Sequence, residues 1–302
     1  MDPALPLVVT VILNTNRKED TLAALHSLSA NTYPRQQVIV LDNASTDGSV
    51  SAIRGSFPRV RIIELEQNLG YAGNNNVGIQ AALDMNADWV FVVNEDITLA
   101  PDCIARLVEV GESDSQIGIV GPMVYHHDEP AVIQSAGGKM SPIWVSYHLS
   151  QNEMDTGKYS APHEVDWVSG CAIMARGAAI RQAGMIDERF FYYWEETEWC
   201  LRIGKAGWKI FHVPRAHLWH KGVQRDYRPG PNVTYYSTRN RLLMLSKHRA
   251  PVAIWIATWG ELIRRLISWT VKPKWRDMRP HRDALWQGIA DFLHKRWGMR
   301  SP

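Results

Sequence analysis

Over the first 125 residues, short apolar runs alternate with polar turns and with stretches whose apolar residues recur at helical spacing. Residues 5–13 form one such run. It hands over to Asn14-Thr15-Asn16-Arg17, after which Leu22, Leu25 and Leu28 mark a helix. Residues 37–41 and 60–65 repeat the strand pattern. The first ends at Asp42-Asn43 and leads into the turn- and cap-forming Ala44-Ser45-Thr46-Asp47-Gly48. The second leads into an Asn- and Gly-rich run from Asn68 to Asn76, which is expected to be a loop opening a helix through Ala82. Trp89-Val90-Phe91-Val92-Val93 reads as a strand buried on both faces and ends abruptly in Asn94-Glu95-Asp96. Pro101 is expected at the first position of the next helix, and residues 117–124 form a fifth strand. This alternation predicts an α/β fold, a mostly parallel sheet flanked by helices. The polar strand ends at Asn14–Arg17, Asp42, Asn68–Asn76 and Asp96 collect on one rim.

Periodicity loosens from 126 to 165, which reads as an extended loop or an irregular hairpin. Residues 165–174 then read as a strand, 177–184 as a helix, and 209–213 as a strand closed by Pro214, with His217 and His220 beyond it. Between these last elements five consecutive aromatics, Phe190 to Trp194, precede Glu195, Glu196 and Glu198. Apolar residues at 252, 255, 256, 259, 262, 263, 266 and 267 make a helical stripe, with Glu261, Arg264 and Arg265 on another face and Lys272, Lys274, Trp275 and Arg276 following. Charge interrupts the run too early for a membrane span. A basic, Trp-rich amphipathic helix suits a membrane interface, packing on its own domain, or pairing with a second copy. The expected organisation is a domain over 1–248, divided into a nucleotide-sugar half (1–125) and an acceptor and catalytic half (126–248), with a helical extension over 249–302.

Composition narrows the function classes. A net charge of +2 offers no basic field for nucleic acid. Cys103, Cys171 and Cys200 are far apart and in no CxxC pattern, as for reduced thiols in the cytoplasm. The N-terminus has no signal-peptide pattern. Neither GxxxxGK[ST] nor GxGxxG follows any strand, so a P-loop and a dinucleotide fingerprint are excluded. A nucleotide would be held by other means. Asp96, a short carboxylate on a rigid strand end, suits a divalent metal bridging substrate phosphates; its alternative is a turn residue. Glu195, Glu196 and Glu198 suit either proton transfer or the first turn of a helix, where carboxylates favour the dipole.

Several separated segments together resemble, over residues 6–248, the inverting glycosyltransferases of family 2, in the branch containing rhamnosyltransferases. Val40 to Ser49 is similar to the family's base-binding segment, Asn68 to Asn75 to its donor loop, and Asn94-Glu95-Asp96 to its metal motif. Val168-Ser169-Gly170-Cys171 resembles the segment under the acceptor, Phe190 to Arg202 the aromatic and acidic catalytic segment, Val213 to Lys221 the stretch with a metal-completing histidine, and Arg239-Asn240 the closing Arg-Asn pair. Two positions depart from the family pattern: Glu196 stands for the usual Asp, and Glu95 for the usual Pro.

The resemblance implies a GT-A fold, Mg²⁺ or Mn²⁺ held by Asp96 and His220, and Glu196, with Glu195 beside it, as the base that activates an acceptor hydroxyl. Asp42 would read the nucleobase. Asn14, Asn16, Arg17, Asn68, Gly70, Asn74, Asn75, Asn94 and Glu95 would line the donor, Arg239 would meet phosphate, and Gly170 and Trp194 would face the acceptor. The implied reaction moves a sugar, rhamnose among the candidates, from a dTDP- or UDP-linked donor to a polysaccharide or lipid-linked acceptor at the inner face of the cell membrane. The competing reading is a nucleotide- or glycan-binding protein impaired in turnover. A sugar-phosphate nucleotidyltransferase is disfavoured, because Leu13 to Arg17 contains no glycine.

Overall fold

The computed structural model describes residues 5–222 and 227–301. The first half runs β1 (Val8–Asn14), α1 (Lys18–Ser29), β2 (Gln36–Asp42), α2 (Ser49–Ser56), β3 (Arg61–Glu64), α3 (Gly70–Asp84), β4 (Trp89–Asn94), β5 (Ile97–Leu99), α4 (Cys103–Ser113) and β6 (Ile117–His126). Four short strands follow: β7 (Ile133–Ser135), β8 (Gly138–Met140), β9 (Ser146–His148) and β10 (His163–Glu164). The remainder is β11 (Ala172–Arg176), α5 (Gly177–Ala183), α6 (Glu195–Lys205), β12 (Lys209–His220), α7 (Pro231–Lys247), α8 (Val252–Val271) and α9 (Arg279–Leu293).

The main sheet has the order β10-β12-β6-β11-β4-β1-β2-β3. β1 pairs in parallel with β2 and β4, and β12 with β6, while β11 runs antiparallel between β4 and β6. Helices cover both faces, which is why the central strands are apolar without alternation. Val8, Ile12, Phe91 and Val93 pack on one face with Leu25, Leu28 and Leu107. Val9, Val11, Val90 and Val92 pack on the other with Ile79, Ile180 and Ile203.

Several elements depart from the sequence expectation. The Asn- and Gly-rich run is not a loop, because α3 begins at Gly70. A Cβ on Gly78 would lie 2.3 Å from Val11, so the small residues let this helix seat close on the sheet. The strand expected over 165–174 starts only at Ala172. Pro101 lies in the turn before α4, which begins at Cys103. Pro214 does not close a strand: a register shift between Val213 and His217 absorbs it, and β12 continues to His220. At the C-terminal end, α8 and α9 bury Leu262, Leu285 and Ile289 with Leu242 of α7, so apolar packing crosses the boundary expected at residue 248. Cys103, Cys171 and Cys200 are free thiols and all are buried.

Candidate active site

A cleft of about 610 Å³ opens where β1, β2 and β4 end, the position at which open α/β sheets receive ligands. Arg17, Asn68, Gly70, Asn74, Asn94 and Glu95 line one part of it, and Asp96, Gly170, Glu195, Glu196 and His220 the rest. Asp96 sits in the turn between β4 and β5, and β5 pairs antiparallel with the end of β12, so His220 arrives beside it. His220 Nε2 lies 3.1 Å from Asp96 Oδ1, and Asp96 Oδ2 accepts from the Gly222 amide at 3.0 Å. Burial pushes Asp96 up, but the hydrogen bond and charge of His220 and the Gly222 amide outweigh it and hold the carboxyl below its usual range. For Glu95 burial prevails and raises it to about 7.

A divalent cation fits this pair. Asp96 Oδ1 is buried, and Nε2 of His220 faces the same point from 3.1 Å away. Among the described residues no group of three or more His, Cys, Asp or Glu is arranged around a metal. Two protein ligands suffice for Mg²⁺ or Mn²⁺, which keep waters and bind substrate phosphates. In the metal-free protein, burial lowers His220 while Cys171 and Asp96 raise it, and the balance is upward; a proton then takes the place on Nε2 that a cation would fill.

The turn leading into α6 is held under backbone strain. Phe191, Tyr193 and Trp194 all have positive φ, at 62°, 69° and 74°, a region that costs an L-residue on the order of 1–3 kcal/mol. Asn240 of α7 holds them there: its Nδ2 donates to the carbonyls of Phe190, Tyr192 and Tyr193 at 2.7–2.8 Å. The strained turn starts α6 at Glu195 and aims both glutamates into the cleft. Glu195 is 5% exposed, with Oε2 unpartnered. Burial first, then the charge of Glu196, pushes it well above the ordinary carboxylate range, and burial raises Glu196 as well. Gly170 forms the floor beneath, where a Cβ would lie 3.2 Å from that of Glu196. Glu198 points away and joins Arg202, Lys247 and His248 in a buried ionic cluster.

Residues 9–180, more than half of the chain, match the family model described as glycosyl transferase family 2. The chain belongs to this family. An N-acetylglucosaminyl-diphospho-decaprenol L-rhamnosyltransferase of Mycobacterium tuberculosis is 28% identical over 277 residues, covering 83% of this chain and 89% of that protein. A dTDP-rhamnosyl transferase of Shigella flexneri is 23% identical over 262 residues, with 83% and 86% covered. Among solved structures, a mannosyltransferase of Pyrobaculum calidifontis in complex with GDP-Man and Mn²⁺ superposes with a TM-score of 0.61 at 15% identity, over 96% of this chain and 88% of that one. GalNAc-T7 with UDP, GalNAc and Mn²⁺ gives 0.63 at 15% identity, over 81% of this chain and 48% of that one. The GT-A architecture anticipated from the sequence is therefore the observed one, and the chain is a family 2 glycosyltransferase related to rhamnosyltransferases.

Several residues assigned to the donor stand elsewhere in this family 2 glycosyltransferase. Arg239 is fully buried and gives its guanidinium to the carbonyls of Arg189, Phe190 and Gly298, so it braces the turn before α6 and does not reach the cleft. Asn14 spends both ends of its amide inside the protein, on Asp42, Ser45 and Ser49 and on Thr21 and the Arg17 amide. Asp42 is 2% exposed and takes hydrogen bonds from Asn14 and the Ser45 amide, so it shapes the end of β2 without facing the cleft. Its neighbour Asn43, just past the end of β2, lines the cleft instead. Asn16 accepts from the Thr46 amide outside the cleft, and Asn75 donates to the Tyr71 carbonyl within α3. Trp194 opens onto a neighbouring cavity of about 290 Å³ between α7 and α8. Asn43 and Asn240 stand in segments quoted from the sequence but were given no role of their own there; Asn43 lines the cleft and Asn240 holds the turn before α6, which only packing reveals.

Proposed function

We propose that this glycosyltransferase inverts the anomeric centre of a sugar, rhamnose first among candidates, as it moves from a dTDP- or UDP-linked donor to a glycan or lipid-linked acceptor. The observation that carries this reading is the meeting, in one cleft, of a carboxylate pair with raised proton affinity and an Asp-His pair fit for a cation. Glu196 takes the proton of the acceptor hydroxyl, and its raised proton affinity strengthens it as a base near neutral pH. Glu195 beside it keeps the site from holding two full negative charges. Asn43 and Arg17, which line the cleft, would meet the base and phosphates, and Asn68 and Asn74, which brace one another, would meet the sugar. Asp96 and His220 would hold Mg²⁺ or Mn²⁺, which supplies Lewis-acid stabilisation to the departing diphosphate. The relative from Mycobacterium tuberculosis is named for a diphospholipid acceptor, which supports a lipid-linked acceptor here.

We further assign the C-terminal helices to a membrane surface. Among the described residues no helix is long and apolar enough to cross a membrane. Yet α8 presents Val252, Ile256, Ile263, Ile267 and Val271 outward, each more than half exposed. Residues 249–302 carry eleven Lys and Arg against four Asp and Glu, whereas residues 1–248 carry 22 against 27. An apolar stripe in a basic setting suits an anionic bilayer face.

Thermal shift with UDP, dTDP, GDP and CDP, each with and without Mn²⁺, tests the catalytic reading. One nucleotide is expected to raise the melting temperature only with metal, and Asp96→Ala to abolish that rise. Stabilisation by none of them would remove the donor assignment.

A further inference from the structure

Behind His220, three strands bring together polar residues that neither face the cleft nor serve the sheet. β12 pairs with β6 so that His220 lies beside His126, and β7 lies on the far side of β6. In the β6–β7 pairing Val124 meets Ser135 and Tyr125 meets Ile133, which leaves Gln134 as the extra residue of a bulge. Bulges re-aim side chains, and here the Gln134 amide turns in toward the two histidines, 9% exposed. Its Oε1 lies 2.7 Å from His220 Nδ1, and its Nε2 lies 3.4 Å from His126 Nδ1. His126 Nε2 in turn lies 2.9 Å from Asn152 Oδ1. With the Gln134 and Asn152 amides oriented as they stand, donors and acceptors match along this chain in one way. Asn152 accepts from His126 Nε2–H, His126 Nδ1 accepts from the Gln134 amide, and Gln134 Oε1 accepts from His220 Nδ1–H.

We propose that Gln134 is a positioning residue that keeps the Nδ1 proton on His220 and so turns Nε2, the other ring nitrogen, toward Asp96 as a metal ligand. The proposal rests on the reading of Asp96 and His220 as the metal pair. A metal-binding imidazole needs its non-ligating nitrogen anchored to an acceptor, since otherwise the ring rotates or takes the other tautomer. A carboxylate in that place would add charge, whereas the amide anchors the ring without it. It also spends its NH₂ on His126, which fixes which end of the amide faces His220.

Two measurements test this. In metal-free wild type labelled with ¹⁵N-histidine, at a pH high enough for the His220 ring to be neutral, its signals, assigned by comparison with His220→Asn, are expected to show a protonated Nδ1 and a pyridine-like Nε2, and Gln134→Leu to lose that preference. A pyridine-like, unprotonated Nδ1 would overturn the proposal whatever the metal does. Mn²⁺ affinity is then read from the free-Mn²⁺ electron paramagnetic resonance signal in the presence of dTDP or UDP. Gln134→Leu is expected to weaken it roughly 10–100-fold, and Gln134→Glu, which keeps an oxygen on Nδ1, to restore it. A folded Gln134→Leu protein that binds Mn²⁺ like wild type would sink the idea. Loss of melting temperature in both variants with Mn²⁺ affinity unchanged would mark Gln134 as structural only. If wild type binds no Mn²⁺ at all, the metal reading fails, and the proton position on His220 decides the Gln134 contact by itself.

Discussion

Glu195 and Glu196 are consecutive in the chain yet unequal in surroundings. Glu195 is buried with an unpartnered oxygen, whereas Glu196 is partly open to the cleft and accepts from the Thr197 hydroxyl at 3.4 Å. The open one is the group an acceptor hydroxyl can reach. Glu196→Gln is expected to lower the transfer rate by roughly 10²–10⁴-fold while leaving the nucleotide-induced thermal shift intact. Because burial raises the Glu196 proton affinity, turnover should climb with pH through a midpoint above the ordinary carboxylate range, and a pH–rate profile checks this. A profile flat from pH 4 upward would argue against Glu196 as the base. The residue types at this site were legible in the sequence: carboxylates after an aromatic run, an Asp at a strand end, a distant His. Their direction was not always so. Asp42 and Asn43 are adjacent at the end of β2, and only the hydrogen bonds that commit Asp42 to Asn14 and Ser45 decide which one meets the cleft. Arg239 offers a phosphate-binding fork in sequence, but burial against three carbonyls commits it inside.

The turn before α6 and the helix α7 work as one unit. Three left-handed residues are held by the side chain of Asn240, so Asn240→Ala is expected to cost about 1–3 kcal/mol of stability and to reduce turnover beyond any loss of nucleotide binding. Denaturant unfolding alongside single-turnover rates separates the two effects. The α6–α7 contact also contains Glu198 with Arg202, Lys247 and His248 at 3.0–3.1 Å. Burial raises Glu198, but these partners outweigh it and hold it at about 2. A depressed carboxylate contributes its stability above the unfolded value of 4.5 and loses it as pH falls toward 2. The contribution is about 3 kcal/mol. Melting curves of wild type and Glu198→Gln should therefore stay apart above pH 5, draw together as pH falls from there, and converge only below about pH 2. The limits of sequence reading at this scale have particular causes. Pro214 signals a strand end, but the bulge at Val213–His217 carries β12 past it to His220. The Asn and Gly residues of α3 signal a loop, but close approach to Val11 makes small residues useful in a helix.

Across the whole molecule, the alternation of strand and helix patterns was enough for the sheet and its functional rim, because period and turn chemistry are local. The antiparallel insertion of β11 was not legible, since an apolar run does not record its direction. The charge is divided as well, with the acidic excess on the residues that build the sheet and the basic excess on the last helices. If those helices meet a bilayer, the full chain should float with vesicles containing anionic lipid and less so at high salt. Ile256→Asp with Ile263→Asp should abolish flotation while leaving thermal stability near wild type, both side chains being exposed. Flotation that survives both changes would assign these helices to another partner.

The three free cysteines give the molecule internal clocks of its own opening. Cys103 and Cys200 lie in the cores on opposite faces of the sheet, and burial pushes both thiols well above their usual range. Cys171 is buried as well but lines the cleft. A thiol reagent should therefore label Cys171 through local fluctuation and the other two only through unfolding, at rates separated by the difference between those opening energies. A bound donor would slow the first clock selectively, so modification kinetics can time the breathing of the active site without any measurement of turnover.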